Sequence, residues 1–262
     1  MTKYAKPTEF STLELMAVCG SRQIKNREVV FIGTGLPMIA ALLAKRTHAP
    51  GARIVFEAGS IDSNAKDIAL SIADSRLGWR ASGAIGLLET LGLMLQGGHV
   101  DLGFVGGAQI DEFGNLNTTY IGPFEKPSVR LPGSGGGNDI ASSAKRVVVI
   151  MTHEKRKMVK RLDYLTSPGF LDGPEAREKA GLIGGGPSLV VTNLCQMDFD
   201  PATKRIRLAT IHLGVSIQQV LENTGFDLII PENVPTTEPP TCEELALLRT
   251  IDPHGIYIPK AK

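Results

Sequence analysis

Four short turns hold the residues whose types and spacing could do chemistry: Gly33-Thr34-Gly35, Glu57-Ala58-Gly59, Gly106-Gly107-Ala108-Gln109, and Gly133-Ser134-Gly135-Gly136-Gly137-Asn138-Asp139. Glu57 ends a mostly apolar run and precedes two small residues, so its carboxylate projects where little side-chain bulk crowds it. A carboxylate so placed can act as base, ligand or nucleophile; the plainer alternative is a strand-end Glu in a cap or a salt bridge. Gly106-Gly107-Ala108 offers backbone N–H groups that no bulky neighbour shields, which is the composition of an oxyanion hole or simply of a tight turn. The fourth turn has four glycines in five positions before Asn138-Asp139 opens a helix. Such a loop lets backbone approach a bulky ligand and aims helix N–H groups at an anion, or it serves as a hinge. It lacks the Gly-Lys-Ser/Thr ending of a phosphate-binding P-loop and the spacing of a dinucleotide fingerprint, so neither ATP nor NAD is indicated.

Other reactive types carry less. His153-Glu154-Lys155-Arg156-Lys157 reads as a solvated, basic helix start, although its cations could help hold a phosphate. No Gly-x-Ser-x-Gly elbow occurs. Cys19, Cys195 and Cys242 are far apart, without a CxxC pair or a His at ligand spacing, which argues against a disulfide framework and a zinc site.

The elements that must position these turns follow from the pattern between them. Apolar, β-branched runs at Val29–Ile32, Ala52–Phe56, Val100–Val105 and Val147–Met151 read as strands, the last buried on both faces. Helical character appears at Met38–Lys45, at about Asp62–Ala73, at Ile85–Leu95, and from the fourth turn through Lys145. Alternating strands and helices predict an α/β fold with an open, mostly parallel sheet and helices on both faces. In such sheets ligands sit beyond the carboxyl ends of the strands, where all four turns fall. Further on, Leu189–Thr192 and Ile206–Ile211 flank a turn at Asp200-Pro201, followed by a helix at Ser216–Asn223 and a last strand at Asp227–Ile230. The expected organisation is one domain over 1–262, with the Pro- and Thr-rich segment from about 231 as an extended arm.

Bulk composition excludes several classes. The formal net charge is +1, so nothing electrostatic calls for a nucleic-acid partner. No apolar run is long enough for a membrane span and the first ten residues lack a secretory pattern, so a cytoplasmic protein is expected. Aromatics make up only 5%, which disfavours stacking platforms for bases or sugars.

The four turns, in this order, resemble the β subunit of the family I CoA-transferases, most closely the glutaconate type. The resemblance rests on Phe31-Ile32-Gly33-Thr34-Gly35-Leu36-Pro37, Phe56-Glu57-Ala58-Gly59, Gly98-His99-Val100-Asp101 running into Gly106-Gly107-Ala108-Gln109, and Gly133 through Ala141 continuing to Lys145-Arg146. Asp198-Phe199-Asp200, Gly214-Val215-Ser216 and Thr224-Gly225-Phe226-Asp227 extend it over nearly the whole chain. It implies that Glu57 is the nucleophile, that Gly107 and Ala108 supply oxyanion donors, and that Gly135, Gly136, Gly137 and Asn138 lie against CoA. It further implies a ping-pong transfer of CoA between carboxylic acids, with CoA as substrate and covalent intermediate rather than a resident cofactor, and no metal. A separately encoded α subunit is implied, in an α2β2 assembly. Because relatives on this scaffold include ring-opening hydrolases and decarboxylases, CoA-thioester hydrolysis or carbon–carbon cleavage stands as the alternative.

Overall fold

The computed structural model describes residues 3–63 and 67–259. The chain divides into two compact units, one comprising Met1–Phe104 with Glu238–Lys262, the other Val105–Thr237.

In the first unit, β1 (Val29–Ile32) lies between β2 (Arg53–Phe56) and the strand Leu102–Val105, parallel to both, with Ile32 opposite Phe56 and Phe31 opposite Gly103. Beyond β2, two short strands, β3 (Ser60–Ile61) and β4 (Gly83–Ala84), turn the sheet antiparallel at its edge; Leu102–Val105 is then β5. The residues of β1, β2 and β5 are mostly apolar and largely buried, as a parallel sheet covered on both faces requires. Helix α1 (Thr12–Ser21) starts at a capping box in which Glu14 N–H donates to Ser11 Oγ and Ser11 N–H to Glu14 Oε2 at 2.7 Å. Helix α2 (Leu36–Arg46) begins with Pro37 in its first turn, after Gly35 at φ +84°.

Three expectations change here. The segment after Asp62 is not helical where it is described, 64–66 lying outside the described residues. Asp74 accepts the Leu70 and Arg76 N–H groups and pairs with the Arg76 guanidinium, which favours a turn over a helix. The helix expected at Ile85–Leu95 is wound as a π-helix over Glu89–Gln96, with i to i+5 bonds from Gly97 to Gly92 and from His99 to Met94. The segment from about 231 is extended only to Thr237, and then forms the chain's last helix, Cys242–Ile251. That helix has its own capping box at Thr241 and Glu244, and it buries Leu245, Leu248 and Ile251. Arg249 joins it to Glu14 of α1 at 2.8 Å, and Glu244 to Arg22 at 2.8 Å.

The second unit opens with two small hairpins, β6 (Gln109–Ile110) with β7 (Leu116–Asn117), and β8 (Tyr120–Ile121) with β9 (Val129–Arg130). Helix α3 (Gly137–Ser143) leads into β10 (Arg146–Ile150), which pairs in parallel with β11 (Pro187–Val191); β12 (Cys195–Phe199) and β13 (Ile206–Ile211) then add antiparallel strands. Helix α4 (Ala176–Lys179) carries the buried Arg177, whose guanidinium donates to the carbonyls of Ala141, Gly169 and Gly184 at 2.7–3.0 Å and so anchors the end of α3. Helix α5 (Ile217–Glu222) is capped by Ser216, and the Cys242–Ile251 helix is accordingly α6. The strand expected at Asp227–Ile230 is a single bridge between Ile229 and Arg207, because Pro231 has no N–H with which to extend a ladder. Both units pair parallel strands beside antiparallel edges and pack helices against them, which is the α/β class expected.

Candidate active site

Glu57 is the first residue past β2, and the parallel register that sets Phe56 beside Ile32 sets Glu57 beside Gly33. The two turns of the first unit therefore share one end of its sheet, the carboxyl end of β1 and β2. Glu57 is half-buried. Its turn is closed by Gly59, whose N–H donates to Phe56 O at 2.8 Å and whose carbonyl accepts from Ile85 N–H at 3.1 Å. Gly59 has φ +93°, and a Cβ there would overlap the Ile85 carbonyl. Only glycine satisfies both conditions, so the small residue that looked permissive in sequence is a requirement of the fold. On the other side of Glu57, a Cβ on Gly33 would meet no atom within 4 Å, so space is open over that turn.

The second unit holds the other two turns and brings them together. Gly107 and Ala108 are half-buried at the start of the β6–β7 hairpin. Ala108 N–H donates to Asn117 O at 2.9 Å, so that amide is engaged by the hairpin, and the Gly107 amide remains as the donor this turn can offer. A Cβ on Gly107 would come within 2.9 Å of Leu116 Cδ2 and 3.1 Å of Gln109 O, so the turn sits tight against its own hairpin. Gly135 has φ +49° and is exposed; Gly136 is buried and precedes α3. Gly137 N–H donates to Ser134 O at 2.9 Å, and Asn138 N–H donates to Ser134 Oγ at 3.0 Å. The Asn138 side-chain amide donates to Thr166 O at 2.8 Å, which ties the loop to the body of the unit.

Between these turns lie polar residues outside the four motifs. Gln109 and Asn117 are 5% and 0% exposed, and Asn117 Nδ2 donates to Gln109 Oε1 at 2.8 Å. Thr118 brackets Gly133, its carbonyl accepting the Gly133 N–H at 2.9 Å and its hydroxyl donating to Gly133 O at 2.8 Å. The signal available in sequence was the run Asn115-Leu116-Asn117-Thr118-Thr119, polar residues interleaved with a buried Leu just after a turn.

His153 is 2% exposed, within reach of Thr192, Thr224 and Cys195 side chains. Burial holds its pKa at about 4, so it is a neutral core residue. Glu154 beside it pairs with Arg156 and Lys157, whose cations lower its pKa to about 2. Burial pushes the Cys19 and Cys195 thiols up to about 12, away from nucleophilic thiolate character. Among the described residues no group of His, Cys, Asp and Glu could hold a metal ion, and no helix is long and apolar enough to cross a membrane.

The coenzyme A transferase family model matches residues 13–223. The chain is 41% identical over 243 residues to the β subunit of the 3-oxoadipate CoA-transferase of Pseudomonas knackmussii, covering 93% of this chain and 94% of that one. It is 40% identical over 258 residues to the β subunit of the glutaconate CoA-transferase of Acidaminococcus fermentans, covering 96% of each. The crystal structure of the Acidaminococcus fermentans glutaconate CoA-transferase superposes with a TM-score of 0.90 at 38% identity, over 99% of this chain and 100% of that one. With a carboxylate turn, a glycine–alanine turn and a glycine-rich loop matched along almost the entire length, this chain belongs to the coenzyme A transferase family and is a CoA-transferase of the β-subunit type.

Proposed function

We propose that this chain supplies the nucleophile of an acyl-CoA:carboxylate CoA-transferase, with Glu57 as that nucleophile and a dicarboxylic acid as the acyl group. The observation that carries this reading is the Glu57 turn: a half-buried carboxylate at a strand end, held by a glycine that the Ile85 backbone makes irreplaceable. A Glu57 oxygen attacks the thioester carbonyl carbon, the C–S bond breaks, and CoA leaves as thiolate, giving a mixed anhydride. The thiolate then attacks the glutamyl carbonyl, releasing the first acid as its carboxylate and leaving a glutamyl-CoA thioester; the acceptor acid reverses both steps. The Gly107 amide is assigned to the developing oxyanion, a class of contact whose loss costs about 100- to 1,000-fold in rate. Gly135, Gly136, Gly137 and Asn138 are assigned to the CoA side. A dicarboxylate is favoured because glutaconate and 3-oxoadipate, named for the two relatives, share that chemistry.

The partner is a separately encoded α subunit, in an α2β2 heterotetramer. Support comes from both relatives being named as one subunit of a larger enzyme, and from Leu87, Leu88 and Leu93, which are 55%, 79% and 67% exposed on and just before the π-helix. Leucines this exposed on one short element mark a surface that a neighbour covers.

The test is borohydride trapping. The two-subunit complex is incubated with glutaconyl-CoA or 3-oxoadipyl-CoA and no acceptor, reduced, and mapped by peptide mass. Reduction of a glutamyl thioester to the alcohol, confined to the Glu57 peptide and absent in Glu57→Gln, is the expected result. Acyl-CoA consumed with Glu57 unmodified would replace transfer by hydrolysis or carbon–carbon cleavage.

A further inference from the structure

We infer that Asn117 and Thr118 are positioning residues that set the spacing between the oxyanion turn and the glycine-rich loop, one strand end thereby fixing both the carbonyl and the CoA ends of the substrate. This deepens the reading just given and rests on it. The two residues are adjacent and each holds a different turn. Asn117 O accepts the Ala108 N–H at 2.9 Å, and its side-chain amide donates to Gln109 Oε1 at 2.8 Å and to Tyr120 O at 2.7 Å. Its Oδ1 accepts Thr119 N–H at 2.9 Å. The Gly106–Gln109 turn is therefore gripped by backbone and side chain of one residue that is 0% exposed. Thr118 grips Gly133 at two points, its carbonyl accepting the Gly133 N–H and its hydroxyl donating to Gly133 O at 2.8 Å.

A second path runs between the same turns. Thr118 N–H donates to Thr166 Oγ1 at 2.9 Å, and Thr166 O accepts the Asn138 side-chain amide at 2.8 Å, so the far end of the glycine loop is referred to the same strand end. Gly133 sits at φ +92° and Gly135 at φ +49°, so the loop between them has little conformational preference of its own. Its placement must come from such clamps. A misplacement of a reacting group by about 1 Å is enough to cost on the order of 100-fold in rate, which makes a rigid spacer between the two turns consequential.

The two residues make separable demands. Thr118→Val keeps the shape and the Gly133 N–H bond but deletes the hydroxyl bond to Gly133 O. It is expected to raise KM for the acyl-CoA and the dissociation constant for CoA by about three- to tenfold, with kcat within about twofold. Thr118→Ser restores the hydroxyl and is expected to restore both. Asn117→Asp removes the amide donor to Gln109 and Tyr120, and is expected to lower kcat by about tenfold with KM little changed. Should that variant fail to fold, the Thr118 pair decides. Wild-type KM in Thr118→Val, or a loss that Thr118→Ser does not reverse, overturns the inference. Trapping at Glu57 separates the two ideas: no adduct in the wild-type complex removes the reading beneath the inference, whereas an adduct with unaltered KM in Thr118→Val removes the inference alone.

Discussion

Gly59 does more for Glu57 than leave room beside it. Its φ of +93° and the adjacent Ile85 carbonyl both exclude a Cβ, so Gly59→Ala must move the backbone that carries the carboxylate. The expected outcome is a loss of roughly 2 kcal/mol or more in unfolding free energy and a matching loss of the borohydride-trapped adduct at saturating acyl-CoA, measured by denaturant titration and peptide mass. Full trapping in a destabilised Gly59→Ala protein would sink the claim that this turn orients the nucleophile. The residue types of this site were legible, since Glu-Ala-Gly after an apolar run announces a bare carboxylate. The engagement of Ala108 was not, because its acceptor is Asn117 on the partner strand of the hairpin, and no local pattern names a hydrogen-bond partner.

At the scale of elements, the strands were the most legible and the helices less so. β13 runs over Ile206–Ile211 as expected, and β1 over Val29–Ile32, because β-branched runs bounded by turn residues leave the backbone few alternatives. Helices α1 and α6 were not anticipated, although Ser11-x-x-Glu14 and Thr241-x-x-Glu244 carry capping-box signatures. α1 is buried along most of its length, so it lacks the polar face by which an amphipathic helix is found. The ends of β10 and β11 are joined through His153, which Thr192 flanks. Its pKa near 4 in the fold lies below the ordinary 6.5, so the unfolded chain takes up a proton first as pH falls. The contribution is complete above about pH 6.5 and is lost as pH drops toward 4, at no more than about 1.4 kcal/mol per pH unit. Asp111, raised to about 6 by burial, works in the opposite direction over part of that range. The test is therefore a difference: the stability gap between wild type and His153→Gln is expected to narrow from pH 6.5 to 4 in denaturant titrations, and a constant gap would refute the neutral buried histidine.

For the molecule as a whole, the reading of this chain as one half of an enzyme makes a prediction about assembly. Leu88→Glu places a charge on the most exposed of the leucines at the π-helix and is expected to weaken the two-subunit complex by at least about tenfold, read by native mass spectrometry, while leaving the secondary structure of the isolated chain unchanged. An intact complex at wild-type affinity would move the partner to another face. Composition and local pattern by themselves determined the α/β class, the order of the four turns and the choice of Glu57, because strand propensity, glycine turns and an isolated carboxylate are properties of a few neighbouring residues. Only the tertiary structure decided that Gly59 is obligatory, that Ala108 is already bonded, that residues 238–259 return to the first unit as a helix, and that Asn117 and Thr118 join two motifs the sequence sets apart. Each of those depends on which distant backbone group arrives beside which amide or Cβ, and that is set by strand pairing and packing across the chain rather than by the residues on either side.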